Sequence, residues 1–210
     1  MNIKDSQDKD DNGNTNSNNK LLLKCYISSL FIPGIAKPVL MLLGEQGAAK
    51  STLEELIRIL VDPSAIMTLI LPENRMELAQ QLMHHYVCYY DNVSEIPNWI
   101  SNIFCSAVTG GSFAKRELYT NDDDIIFNIK DMSLAFNGIN LAATNADLLD
   151  RGIIFELERI LEENMSIKSD ILEKLENMKP QLLGYIFDIL VKVLQLKRKR
   201  KRKRRKNLVN

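Results

Sequence analysis

The chain has 210 residues and a mass of 24.0 kDa, enough for one core domain with short extensions. Apolar residues make up 45% and charged residues 26%, an ordinary composition for a soluble globular protein. No apolar run reaches the roughly 18 residues that span a bilayer, and the polar N-terminus is unlike a signal peptide. These features exclude a membrane partner and predict a cytoplasmic protein.

Cysteine and histidine usage gives no sign of disulfides or zinc. Cys25, Cys88 and Cys105 form no CxxC pair and lie in apolar contexts, so we expect reduced thiols. The two histidines, His84 and His85, are adjacent in the chain. Two neighbouring imidazoles without a thiolate pair do not make a plausible zinc site.

The formal net charge of zero conceals a strong separation of charge. Residues 197–206 are ten consecutive Lys or Arg, which leaves 17 basic and 27 acidic residues in 1–196. The body therefore carries a formal charge of −10 and the tail is a separate basic segment. Its candidate contacts with nucleic acid are Lys197, Arg198, Lys199 and Arg200, although a nuclear-type address, a solubility feature or a frayed terminus also fits such a run.

The chain begins with a polar segment, 1–20, which has six Asn and four Asp and is predicted to be disordered. A helix is predicted over 21–30, a buried strand over 39–43 and an amphipathic helix over 50–60, whose apolar face carries Leu53, Leu56, Ile57 and Leu60. Further strands are predicted at 65–71, 86–90, 133–136 and 152–157. Further helices are predicted at 73–84, at 94–107 with Ser94 as N-cap, and between 158 and 196, where Pro180 divides two helices.

Strands that alternate with helices predict an α/β fold with a parallel sheet between helices. The segment GEQGAAKST at 44–52, a glycine turn between the first strand and its helix, makes this the predicted fold of a P-loop NTPase. The predicted organisation is a disordered tail at 1–20, an ATPase core at 21–157, a small C-terminal helical lid at 158–196 and a basic disordered tail at 197–210.

The segment between the first strand and its helix, GEQGAAKST at 44–52, is typical of a phosphate-binding loop. A glycine turn followed by a helix directs several backbone N–H groups and the helix N-terminus at one point, which suits the phosphates of ATP. The residues predicted to contact the nucleotide are Gly44, Gly47, Ala48, Ala49, Lys50, Ser51 and Thr52. Lys50 would reach the β- and γ-phosphates and Ser51 would bind Mg²⁺. Ala49 stands where this pattern usually has Gly, and an alanine resists positive φ.

Polar residues at the ends of later strands complete the predicted site. Asp91 follows an apolar strand and is predicted to bind Mg²⁺ with Ser51, whereas the next residue, Asn92, cannot accept a proton from water. Glu45 or Glu95 is the alternative base. Asn137, with Asn140 as the alternate, is predicted to face the γ-phosphate.

Arg151 precedes the last strand. It is predicted either to act as a finger in the site of a neighbouring subunit or to form a surface ion pair with Asp147 or Asp150.

These segments, in this order, resemble the superfamily 3 helicases of viruses and plasmids and the primase-associated ATP-binding proteins of mobile elements, an AAA+-like group. The resemblance extends over residues 26–196. It rests on the phosphate loop and on YVCYYDN at 86–92, VTGGSFAKRELY at 108–119, 137–140 and 147–155.

The resemblance implies a ring oligomer that acts on DNA through a β-hairpin in its central channel. The hairpin arms would be 117–120 and 125–129, joined by the acidic segment 121–124. Since an acidic tip repels phosphate, Lys115 and Arg116 are the better candidates for DNA contact. A primase or origin-binding partner would be encoded separately.

The leading hypothesis is an ATP-dependent motor on DNA, with ATP and Mg²⁺ as cofactors, in the replication of a mobile element. A second hypothesis, based on Ala49 and Asn92, is a nucleotide-binding switch or scaffold that hydrolyses poorly. A third is the remnant of such an element in which the basic tail is the only active surface.

Overall fold

The computed structural model describes residues 3, 18–109, 112–116, 124–128, 132–139, 145–161, 163 and 166–207. Two compact units divide the chain at Met1–Met165 and Ser166–Asn210. The described elements are α1 (Asn18–Ser29), β1 (Val39–Leu43), α2 (Lys50–Val61), α3 (Arg75–His84), β2 (Val87–Tyr90), α4 (Asn98–Val108), β3 (Ser112–Arg116), β4 (Asp124–Asn128), β5 (Ser133–Gly138), α5 (Ala146–Leu149), β6 (Gly152–Glu156) and α6 (Lys168–Asn207).

A four-stranded sheet in the order β2-β5-β1-β6 forms the centre of the first unit, and all its pairs are parallel. Leu40 of β1 pairs with Ala135 of β5, and Val39 pairs with Gly152 of β6. The fold is therefore the predicted α/β fold of P-loop proteins, with helices against a parallel sheet and a helix at the C-terminus. Because parallel strands end on one edge, the residues that follow β1, β2 and β5 are brought together there.

Both faces of the sheet are buried, as continuous apolar strands predict. Met41 belongs to a cluster with Phe104 of α4 and Phe136 of β5, whose ring centroids lie 5.3 Å apart. Leu42 belongs to a second cluster, which contains Ile57 of α2. The second cluster fixes α2, and hence its N-terminus, above the edge where the strands end.

Two predicted boundaries were wrong. The strand expected over 65–71 is reduced to a bridge between Leu69 and Tyr90, so the chain only touches the edge strand there. The helix expected from Ser94 begins at Asn98, with Pro97 in an extended conformation before it. Helical backbone is disfavoured in the residue before a proline, which explains why the helix does not include Ile96.

Part of the polar N-terminal segment is ordered, against the prediction. α1 begins at Asn18, inside the stretch that was expected to be disordered. Ile3 is also buried and bridges Leu157 beyond β6. An isolated apolar side chain within a polar segment can dock on an existing core without a core of its own.

The hairpin is present but its first arm was misplaced. β3 at 112–116 pairs antiparallel with β4 at 124–128, and the register sets Arg116 opposite Asp124. The arm expected at 117–120 lies outside the described residues, while the second arm is confirmed within one residue. Lys115 and Arg116 thus belong to the first arm itself.

The second unit contains α6, a single helix of 40 residues with Pro180 inside it. The division expected at Pro180 was wrong, and residues 197–207 of the segment expected to be disordered are helical. An interior proline costs about 3 kcal/mol, but the Lys, Arg, Leu and Glu that fill this helix are all strong helix formers. Among the described residues, no helix is long and apolar enough to span a membrane.

Candidate nucleotide site

The loop between β1 and α2 has the backbone that a phosphate-binding loop requires. Gly47 has φ 84°, which favours glycine. At Gly44 the constraint is space, because a Cβ there would lie 2.5 Å from the carbonyl oxygen of Leu157. Gly44 and Gly47 therefore stand where a larger residue would not fit or would be strained.

Ala49 adopts the conformation that its position in the loop demands despite its side chain. Its φ of 57° and ψ of 32° are left-handed, and it is the N-cap of α2 without a side-chain cap. Left-handed backbone costs a non-glycine residue about 1–2 kcal/mol. The loop thus keeps its geometry at a local cost in conformational free energy.

We expect Ala49→Gly to raise the free energy of unfolding by up to about 1 kcal/mol, because relief of the strain exceeds the added entropy of the unfolded chain. The matched control is the neighbouring residue Ala48, which is buried and whose φ is not positive. Ala48→Gly should lower stability by about 1 kcal/mol. Chemical denaturation measures both, and equal losses would contradict the left-handed backbone at Ala49.

Lys50 is directed onto its own loop. Its Nζ donates to the carbonyl oxygens of Gly44 at 2.7 Å and Glu45 at 3.0 Å. The ammonium group therefore lies over the concave side of the loop. Thr52 follows in the first turn of α2, and the N–H groups of this turn point to the same place.

Three of the predicted residues meet at the edge of the sheet. Ser51 Oγ donates to Asp91 Oδ1 at 2.8 Å, although 40 residues separate them. Asn137 Nδ2 donates to the same Oδ1 at 2.6 Å and lies 3.4 Å from Ser51 Oγ. A hydroxyl, a carboxylate and an amide thus converge beside the phosphate loop, from α2, the end of β2 and β5.

Glu54 is part of this cluster and was missed by the sequence analysis. It is fully buried on α2, and its Oε2 accepts from Asn137 Nδ2 at 2.6 Å. Burial raises the pKa of the Glu54 carboxyl to about 8, the nearby Asp91 also raises it, and the hydrogen bond from Asn137 lowers it.

A signal for Glu54 was available in the sequence. It lies four residues after Lys50, on the same face of the helix. The apolar face assigned to α2 was partly wrong, because the buried residues are Glu54, Ile57 and Arg58. The terminal nitrogens of Arg58 contact the carbonyl oxygen of Val87 and the Nδ1 of His85.

Of the other candidates, Asn92 adjoins this cluster and Arg151 lies apart from it. Asn92 is exposed and has φ 53°, and its backbone N–H donates to Asn137 Oδ1 at 2.9 Å. Arg151 precedes β6, so it lies at the end of the sheet where the strands begin, opposite the cluster. It donates to both carboxylate oxygens of Asp147 at 3.1 and 3.3 Å. This is the ion pair that the sequence offered as one alternative. A role for Arg151 in a neighbouring subunit stays a prediction.

The remaining predicted contacts are placed as follows. Glu45 and Glu95 are exposed, and Asn140 lies outside the described residues. Lys115 and Arg116 lie on β3. The basic residues Lys197, Arg198, Lys199 and Arg200 are exposed on α6, in the second unit.

A cavity of about 490 Å³ adjoins the phosphate loop, within the size range of small-molecule sites. Gly44, Glu45, Ile139 and Arg159 are among the residues that line it. The Arg159 side chain also approaches Gly47, where a Cβ would lie 3.7 Å from its Cγ. Arg159 is thus a second candidate that the sequence analysis missed, and it brings a cation to the loop.

The fold and the loop define the class of this protein, an α/β P-loop domain. The family model of the actinomycete integrative conjugative element replication protein matches residues 11–205, and the chain belongs to this family. A search of curated proteins finds no significant match.

Solved structures of the NrS-1 C-terminal region show the same fold at low sequence identity. The A-form apo structure of the NrS-1 C-terminal region has a TM-score of 0.58 and 13% identity, over 82% of this chain and 42% of that one. Another apo structure of this region has a TM-score of 0.54 and 14% identity, over 78% and 40%. A JCV helicase bound to a substituted acetamide has a TM-score of 0.47 and 12% identity, over 83% and 56%. This chain thus spans less than half of the NrS-1 region.

Proposed function

We propose that this protein binds Mg·ATP at the phosphate loop and hydrolyses it as the ATPase module of a mobile-element replication protein. The observation that carries the proposal is the 2.8 Å contact between Ser51 Oγ and Asp91 Oδ1 beside the loop. A hydroxyl at a helix start and a carboxylate at a strand end are the oxygen ligands that Mg²⁺ takes next to a phosphate chain.

Each residue has a definite part in this proposal. Lys50 would turn from the loop carbonyls to the β- and γ-phosphates, which lie against the N-terminus of α2. Bound Mg²⁺ would neutralise charge on the phosphate oxygens. Ser51 and Asp91 would hold the cation. Asn137, which is adjacent to both, would face the γ-phosphate.

DNA is the proposed partner. Membership in a family of replication proteins supports this, as does the basic run at 197–206. By its resemblance to superfamily 3 helicases, the protein would act as a ring in which Lys115 and Arg116 of the hairpin contact DNA and Arg151 acts across the subunit interface. A primase or origin-binding protein would be supplied separately.

A nucleotide-dependent switch is the second candidate, and Asn92 favours it. The residue after Asp91 is exposed and carries an amide, which orients water but cannot accept its proton. A switch would bind Mg·ATP with little turnover. Turnover measured with and without single-stranded DNA separates the two, since only a motor gains from DNA.

We expect Lys50→Ala to lower the affinity for Mg·ATP by about 10- to 100-fold, the value of a hydrogen-bonded charge. Stability should change little, because the Nζ bonds of Lys50 that the described residues show are to loop carbonyls. Calorimetric titration at high protein concentration measures the affinity. Lys24→Ala, which removes an exposed lysine of α1, is the matched control and should bind as the wild type does. Wild-type protein that takes up no Mg·ATP would refute the proposed function.

A further inference from the structure

The Asn137 side chain is held on three sides. Its Oδ1 accepts from the backbone N–H of Asn92, which fixes the direction of the amide group. Its Nδ2 therefore faces two carboxyl groups, Asp91 and Glu54, each at 2.6 Å. Asn137 is only 1% exposed, so water cannot replace a lost partner without entering the core.

The two carboxyl groups that accept from Asn137, those of Asp91 and Glu54, differ in exposure and in their contact with Ser51. Asp91 is exposed and is shared with Ser51, so its Oδ1 is the oxygen that a cation would take. Glu54 is fully buried beneath it and is not a partner of Ser51 among the described contacts. When Asp91 turns to a cation, one N–H of Asn137 must find a new acceptor. The other N–H can stay with Glu54.

We propose that Glu54 is a positioning residue that anchors the Asn137 amide while its second N–H changes partner from Asp91 to the bound nucleotide. The proposal rests on the proposed function, since it assumes Mg·ATP at this site. Without the anchor, a buried N–H would be left unpaired or Asn137 would rotate away from the cation ligands. Both outcomes oppose the binding of Mg²⁺.

Glu54→Met is the test variant, because Met has the same length and no hydrogen-bond acceptor of comparable strength. Glu54→Gln is the matched control, since its amide oxygen still accepts from Asn137. Glu54→Ala is a second variant in case Met does not fit. All are made in the full chain and compared with the wild type by circular dichroism and thermal melting.

Affinity for ATP is measured with Mg²⁺ and with EDTA. We expect Glu54→Met to lower the Mg²⁺-dependent affinity by about 10- to 100-fold, as for outer-shell partners of metal ligands. Affinity in EDTA should stay within about 2-fold, and Glu54→Gln should match the wild type throughout. A merely structural role would reduce both affinities together. That result, or unchanged Mg²⁺ dependence in Glu54→Met, would overturn the proposal.

A second readout does not need nucleotide. The side-chain NH₂ protons of Asn137 should exchange slowly with solvent in the wild type and in Glu54→Gln, and faster in Glu54→Met, as followed by ¹⁵N–¹H spectra. Equal exchange in all three would refute the anchor. If the exchange differs as expected but no variant binds Mg·ATP, the proposed function fails while the contact between Glu54 and Asn137 stands.

Discussion

Removal of residues 197–210 should abolish most of the salt-sensitive binding of this protein to DNA. The deleted segment has ten adjacent cations, and residues 1–196 carry a formal charge of −10, which repels phosphate. Each phosphate neutralised on a single strand contributes about −0.7 to the slope of log affinity against log salt. The full chain should therefore show a slope of several units, which corresponds to a loss of about 10³-fold or more between 50 and 200 mM salt.

The control is a chain in which the Lys and Arg of 197–206 are replaced by Gln, which keeps length and helix propensity. It should bind DNA as weakly as the deletion does. Both chains should retain the Mg·ATP affinity of the wild type, because the nucleotide candidates lie in the first unit. A truncated chain that keeps the full salt slope would move the DNA contact to the hairpin at Lys115 and Arg116.

The elements that sequence predicted best are those whose local pattern agrees with their tertiary role. β1 is a run of apolar residues buried on both faces, and the loop that follows it needs glycine for reasons of backbone and space. The meeting of Ser51, Asp91 and Asn137 also followed from sequence, because parallel strands place their ends on one edge. Asn137 could thus be assigned to the site 86 residues after Ser51.

The errors at Glu54 and Pro180 have different causes, a tertiary contact in the first case and strong local helix propensity in the second. A glutamate in an amphipathic helix is normally assigned to the solvent face, yet Glu54 is buried because Asn137 of a distant strand supplies its hydrogen bond. Pro180 was expected to end a helix, but the strong helix formers on both sides continue it. In the case of Arg151, the sequence offered a finger or an ion pair, and only coordinates could show Asp147 within 3.1 Å.

Replacement of Glu54 by Gln should stabilise the protein in a pH-dependent manner. Burial raises the pKa of Glu54 from 4.5 in the unfolded chain to about 8 in the folded protein. Between these values the folded state holds a proton that the unfolded state has released, so the free energy of unfolding falls as pH rises. Below pH 4.5 and above pH 8 the proton count of this group is the same in both states.

Gln cannot ionise and matches the protonated acid in shape. The free energy of unfolding of Glu54→Gln should therefore equal that of the wild type near pH 4.5 and exceed it increasingly up to pH 8. Each pH unit contributes about 1.4 kcal/mol, so the difference should approach about 5 kcal/mol and then level off. Chemical denaturation in EDTA at several pH values measures it, with Glu55→Gln on the same helix as the control. Asp91 and Lys50, the charged groups that influence Glu54, are present in both chains. A difference that stays flat from pH 5 to 8 would mean that Glu54 is ionised in the fold and would contradict the raised pKa.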